Sequence, residues 1–298
     1  MPDAGRVTCS ALSLRRGEPV HATASRVTRW LVVEQPGPWG RDALLDSRMD
    51  TTVARALHGG ARHHRVRVLL ARRTGWQPAE GPRRVYLART TPDGGWLEQL
   101  EVEHESELLR IDLRLLRRKA SPGIGQPVTG PLLLVCTHGR HDQCCANLGR
   151  PVARALAAAG VPDVWEASHV GGDRFAANVV ALPWGVYLGR VPPERAPAVV
   201  AELAAGRIEL DLYRGRSCFS TLVQAAEIAA RRHLDERQLD GIAVEGAGSI
   251  GEETVRVRFR SGPRSLAVVV HRRPGQPEHL TCSDAIGRPW SYEVLSIE

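Results

Sequence analysis

The chain has 298 residues, 43% hydrophobic and 24% charged, with six cysteines and a formal charge of +7. That balance suits one large or two ordinary folded domains and excludes a disordered or fibrous chain; with no apolar run of membrane-spanning length and no secretion-signal stretch after Met-Pro-Asp-Ala-Gly-Arg, it implies a cytoplasmic protein with no membrane partner. Nearly all the positive charge is arginine, Lys119 being the single lysine, which reads as the coding bias of a GC-rich bacterial genome and argues against a nucleic-acid partner.

In chain order, the first strand-like run is Val27 to Glu34, followed by the loop Gln35-Pro-Gly-Pro-Trp-Gly40. Asp42 to Ser47 and Thr51 to Leu57 read as short helical segments, and Val66 to Ala71, Arg84 to Ala88 and Trp96 to Val102 as further strands. The arginine-dense runs Arg62-His-His-Arg65-Val-Arg67 and Arg114-Leu-Leu-Arg-Arg-Lys119 are expected to be solvated faces, with docking of an acidic partner protein as the functional alternative. Mixed strands and helices imply an α/β or α+β layer structure.

Loop-forming residues from Lys119 to Pro127 mark a boundary, so the predicted division is an N-terminal α/β domain over 1–125 and a second domain over 126–298. The second begins with the buried-type strand Leu132 to Val135, then helix 150–159, strand Val164 to Ser168, helix Arg174 to Val180, strand Gly185 to Arg190 and helix Arg195 to Ala205. This order suits a thioredoxin-like sheet. A helix over Ser220 to His233 and a hairpin of Thr254 to Arg260 with Ser265 to His271 form a C-terminal extension. The unit Leu31-Val-Val-Glu34, loop, helix echoes Leu133-Leu-Val135, loop, helix; the N-terminal domain is thus a candidate for a second thioredoxin-like fold.

Three cysteines fall in the window Cys136-Thr-His-Gly-Arg-His-Asp-Gln-Cys144-Cys145, at a strand exit. In a cytoplasmic chain such clustering points to metal or redox chemistry rather than a disulfide framework. If the two central strands run parallel, the following segment Glu166-Ala-Ser-His169-Val-Gly-Gly-Asp173 returns to the same sheet edge, within reach of the cysteines. Thiolate with imidazole suits zinc or an iron–sulfur cluster, and the eight-residue gap between Cys136 and Cys145 is longer than the usual zinc spacing. Asp173 is equally a candidate cap for the helix predicted after it. His138 and His141 are ligand candidates with solvent exposure as the default. Cys9 and Cys282, near the two ends, are expected to be packed or free thiols, the bolder alternative being a second metal or an accessory ligand.

The cysteine window resembles the Cys-(Ser/Thr)-His…Arg-Asp…Cys signature of the sucrase/ferredoxin-like family. His169-Val-Gly-Gly-Asp-Arg-Phe-Ala-Ala-Asn178 is similar to that family's second signature. Cys9-Ser-Ala-Leu-Ser, Glu34 to Gly40, Trp184 to Arg190, Tyr213-Arg-Gly-Arg-Ser217 and Gln224-Ala-Ala-Glu227 add to the resemblance. It implies a thioredoxin-like ferredoxin domain with one [2Fe–2S] cluster, held in fungal members by two cysteines and two histidines. Carried over, the positions are Cys136, Cys145, His169 and Asp173, with aspartate in place of the second histidine. The fourth ligand is therefore open between Asp173, the neighbouring Cys144, Cys282 and Cys9. The implied function is a non-enzymatic carrier of single electrons between a reductase and an acceptor protein. A thiol-based redox enzyme or sensor and a zinc-stabilised binding module are the alternatives. No pair of carboxylates suggests glycoside hydrolysis.

Overall fold

Residues 7–75, 81–283 and 286–298 are described by the computed structural model; the opening hexapeptide, in which no secretion signal is read, lies outside them. A short helix α1 (Cys9–Arg15) comes first, its N-terminus capped by the Thr8 side chain, which accepts from the Ala11 amide. The β-branched run Val27 to Glu34 then forms β1 (Arg29–Glu34), followed by α2 (Thr51–His64), β2 (Arg67–Arg72), β3 (Arg83–Arg89) and β4 (Trp96–Val102). Asp50 caps α2 by accepting from Thr52 and Val53. Asp42 to Ser47 is not helical but a turn, because the Asp42 carboxylate takes the Leu44 and Leu45 amides itself.

After the two-residue β5 (Gln126–Pro127) come β6 (Leu132–Cys136), α3 (Gln143–Ala158), β7 (Val164–Ala167), β8 (Val179–Leu182) and β9 (Val186–Leu188). Helix α4 (Ala196–Ala204) and β10 (Tyr213–Arg216) complete this stretch. Two predictions fail here. Helix α3 begins at Gln143 rather than 150, capped by Asp142, and continues across Pro151, so Cys144 and Cys145 lie on its first turn. The helix expected over Arg174 to Val180 is absent: Asp173–Phe175 makes one 3₁₀ turn and β8 follows. Residues Val179 to Leu182 are apolar and buried, and pairing with β6 consumes the backbone groups that a helix would need.

Ten strands share one curled sheet in the order β10-β9-β8-β6-β7-β2-β1-β3-β4-β5. Strand β1 is parallel to β2 and antiparallel to β3; β6 is parallel to β7 and antiparallel to β8. Each half therefore repeats one connectivity, strand–helix–parallel strand–antiparallel hairpin. The halves meet through their equivalent strands β2 and β7, antiparallel, at Ala71↔Ala167 and Arg72↔Glu166. Equivalent edges meeting antiparallel are what an approximate twofold produces. One apolar core passes under this junction, with Trp30, Val32 and Tyr86 from the first half and Leu132, Leu134 and Trp165 from the second.

Helix α5 (Thr221–Leu234) covers a second sheet, β11 (Ala243–Gly251), β12 (Thr254–Ser261) and β13 (Arg264–Pro274). A small hairpin, β14 (Glu278–His279) with β15 (Ile286–Gly287), precedes the last strand, β16 (Trp290–Ile297). The predicted hairpin is β12–β13, closed at Ser261↔Arg264. Phe219, Val223 and Ala226 pack on Val257, Phe259, Val268 and Val270. No helix among the described residues is long and apolar enough to cross a membrane.

Candidate metal centre

Strand β6 delivers Cys136 to the sheet edge, and its parallel register with β7 sets Cys136 opposite Ala167. The segment after β7 therefore leaves at the same edge, as the sequence order predicts. Asp142 starts α3 beside it by accepting from the Cys144 amide at 2.8 Å. Gly171 and Gly172 stand at φ +102° and +83° and fold His169 back over Asp173. Their turn is held from behind by Arg214, fully buried, which donates to the Gly171 carbonyl at 2.9 Å and to Asn178 Oδ1 at 2.8 Å. Asn178 in turn donates to the Gly172 carbonyl at 2.9 Å.

The structure brings together the ligand atoms of Cys136, Cys145 and His169, all within 4.8 Å of one another. Asp173 adjoins two members of the group, its Oδ1 3.0 Å from Cys145 Sγ and 2.9 Å from His169 Nδ1, and forms a second such set with His141 and His169. His169 Nδ1 is buried and has no hydrogen bond in line, despite the short distance to Asp173. Two thiols, an imidazole and a carboxylate side by side at one edge are donor types that suit a metal centre. The Asp173 carboxylate caps no helix; Gly172 occupies the N-cap position of the 3₁₀ turn.

The electrostatics run the same way. The neighbouring Cys145 thiol, together with His169, holds Cys136 well below the usual thiol range against its burial. Cys145 is pushed far up by the Cys136 thiolate, by burial and by Asp173. Burial pulls His169 down, but the Asp173 carboxylate and the Cys136 sulfur outweigh it and leave the imidazole at about 9. Burial pushes Asp173 up, yet His169 and Cys145 bring it below the usual carboxylate value. The site thus stores negative charge on sulfur and oxygen and balances it with imidazolium and the buried Arg214.

Cys144 turns the other way. Its Sγ lies 3.6 Å from Cys9 Sγ and 3.3 Å from Cys282 Sγ, so the structure places it in a separate group with Asp142. His141, expected to face solvent, stacks its ring on His169 at 3.7 Å between centroids, with Nε2 3.7 Å from Asp173 Oδ2. His138 is buried beside them, its ring stacked 5.7 Å from that of His141 and edge-on to Trp39, with Nε2 2.7 Å from the Gly40 carbonyl. The loop Gln35 to Gly40 of the first half therefore packs over the cysteine loop. Arg41, Arg62, Arg65 and Arg67 line the same cleft as His141 and His169. Asp142 and Arg214 were not singled out in the sequence; an acidic residue just before a helical stretch was the available signal for the former.

Among protein-family models, the one described as sucrase/ferredoxin-like matches residues 20–215. The chain is 34% identical over 100 residues to the altered inheritance of mitochondria protein 32 of Clavispora lusitaniae, covering 30% of this chain and 37% of that protein. The protein of the same name from Eremothecium gossypii is 30% identical over 128 residues, covering 35% of this chain and 40% of the relative. The match thus spans well under half the length of these curated relatives. They are yeast proteins, and the bacterial origin and cytoplasmic location expected from composition draw no support from them. No solved structure matches the chain.

Proposed function

We propose that this chain, which belongs to the sucrase/ferredoxin-like family, is an electron-transfer protein holding one [2Fe–2S] cluster on Cys136, Cys145, His169 and Asp173. The carrying observation is the convergence of two thiol sulfurs, one imidazole and one carboxylate oxygen at a single sheet edge. Four donors of this kind fit the ligand count of such a cluster, with nitrogen and oxygen in place of two cysteines. The cluster supplies one-electron redox chemistry when bound.

The protein's residues supply the rest. Cys136 and Cys145 are buried, at 1% and 0% exposure, and keep the sulfur side dry. The His169 and His141 side chains are 25% and 35% exposed, so the imidazole side faces the partner. The arginines lining the cleft make that edge suited to an acidic protein, reductase or acceptor. The repeated connectivity of the two halves, with strand order 2-1-3-4 in each, fits a pair of thioredoxin-like units.

A zinc ion on the same donors is the second reading. It is favoured by the 4.8 Å span of the Cys136, Cys145 and His169 ligand atoms, which one tetrahedral ion covers. A dithiol–disulfide enzyme is less favoured, because the C-x-x-C motif is absent.

Iron, acid-labile sulfide and zinc in anaerobically purified protein decide between the readings, with optical and EPR spectra. Iron and sulfide in equal amounts are expected, lost in Cys136→Ser and in Cys145→Ser. Asp173→Ala is expected to change the EPR signal and Cys144→Ser to leave it unchanged. A colourless protein without sulfide overturns the cluster reading.

A further inference from the structure

We propose that Cys9, Cys144, Cys282 and Asp142 form a second metal site, holding one zinc-class divalent ion that fastens the N-terminal helix and the C-terminal hairpin to the start of α3. The three sulfurs form a nearly equilateral triangle, with sides of 3.3 Å (Cys144–Cys282), 3.5 Å (Cys9–Cys282) and 3.6 Å (Cys9–Cys144). An ion bound about 2.3 Å from each sulfur sits about 1 Å off the plane of such a triangle, and tetrahedral geometry opens its sides to about 3.8 Å. Only a small outward movement of each sulfur is needed.

The fourth donor is already in place. The Asp142 carboxylate is 3% exposed and lies 3.8 Å from Cys9 Sγ, while it accepts the amides of Cys144 at 2.8 Å and Cys282 at 2.6 Å. Among the described residues no arginine, lysine or histidine forms an ion pair with it. A buried carboxylate without a counter-charge is costly, and a bound cation removes that cost. The sulfurs are also held from outside as metal-bound thiolates usually are: Ser10 Oγ donates to Cys144 Sγ at 3.1 Å and the Cys9 amide donates to Cys282 Sγ at 3.4 Å. Packing of thiols as small hydrophobes explains none of these polar contacts. A disulfide between any two leaves the third thiol and the carboxylate unanswered.

The site is independent of the first. Cys144 and Cys145 are consecutive on α3 and project about 100° apart, one to each group. Cys9 and Cys282 lie outside the residues that the family model matches, 20–215. The segment carrying Cys282 is also fixed electrostatically, by Arg16 to Glu278 at 2.7 Å.

The test removes the first site and asks whether a metal stays. The 298-residue chain carrying Cys136→Ser/Cys145→Ser, reduced and stripped with chelator, is titrated with cobalt(II) and then zinc. One equivalent of cobalt with sulfur-to-metal charge-transfer and tetrahedral ligand-field bands is expected, displaced by zinc. Adding Cys282→Ser, a half-buried position, is expected to weaken binding by more than the 10–100-fold typical of outer-shell changes. No cobalt binding, or binding unchanged by Cys282→Ser, overturns the proposal. If the double variant does not fold, zinc per chain in wild type against Cys282→Ser decides: one fewer supports the site and equal zinc overturns it. Iron and sulfide in the same samples report the first site separately, so either reading can fail alone.

Discussion

Gly172 shows how little room the centre leaves. A Cβ there would stand 2.2 Å from Arg214 Nη2, on a backbone at φ +83° that other residues rarely adopt. Arg214 cannot retreat, since its remaining donors hold Thr23 Oγ1 and the Gly171 carbonyl. Gly172→Ala is expected to cost about 1–3 kcal/mol, read by urea denaturation, and to disturb metal content through the displaced His169–Asp173 turn. An unchanged midpoint would remove Arg214 as the support of that turn. The Gly-Gly pair and His169 were legible in the sequence. Arg214 was not, because a guanidinium 43 residues from Gly171 gives no local sign of where it ends.

At the scale of elements, most strands were legible, since runs such as Leu132 to Val135 are apolar and short. The helix expected after Asp173 was not a helix, because demand from the β6 edge outranks local propensity. The edge of β4 carries a similar hidden device. Glu98, fully buried, accepts the amides of Gly123 at 2.7 Å, Ile124 at 3.0 Å and Gly125 at 2.9 Å, and the Ser121 hydroxyl. Burial raises its pKa, but these donors outweigh burial and leave it below the usual 4.5. A folded-state value below the unfolded one contributes stability above that pH and loses it as pH falls through the folded value. Wild type should therefore lose stability on acidification below about pH 5 more steeply than Glu98→Gln. At pH 7 the variant is expected to be weaker by about 1–3 kcal/mol. Parallel pH profiles of the two urea midpoints would contradict this role.

In the whole molecule the two halves share one sheet. The boundary expected near residue 125 separates β4 from β6, yet both lie in one sheet over a core shared by Trp30, Tyr86, Leu134 and Trp165. The junction adds Arg72, which donates to Glu166 at 2.9 Å and to the Gly37 carbonyl at 2.8 Å, while Thr137 Oγ1 donates to the same Glu166 at 3.0 Å. Residues 1–240, both halves together, are expected to unfold in one calorimetric transition. The fragment 126–240 is expected to aggregate, because cutting there exposes β7 as a bare edge and opens the shared core. A soluble, cooperatively folding fragment 126–240 would show the halves to be independent.

By itself the sequence determined most of the strands and the return of His169 and Asp173 to the edge of the cysteine window; the choice of Cys136 with Cys145 came from the family resemblance. The strands and that return follow from short-range pattern and the hand of one crossover. It left Cys144 and Cys145 interchangeable, because adjacent letters carry no direction. Only the tertiary structure parted them, since helical geometry turns consecutive side chains away from each other. Only it brought Cys9 and Cys282, 273 residues apart, to within 3.5 Å. Such contacts are set by how distant elements pack, not by anything in the residues around them.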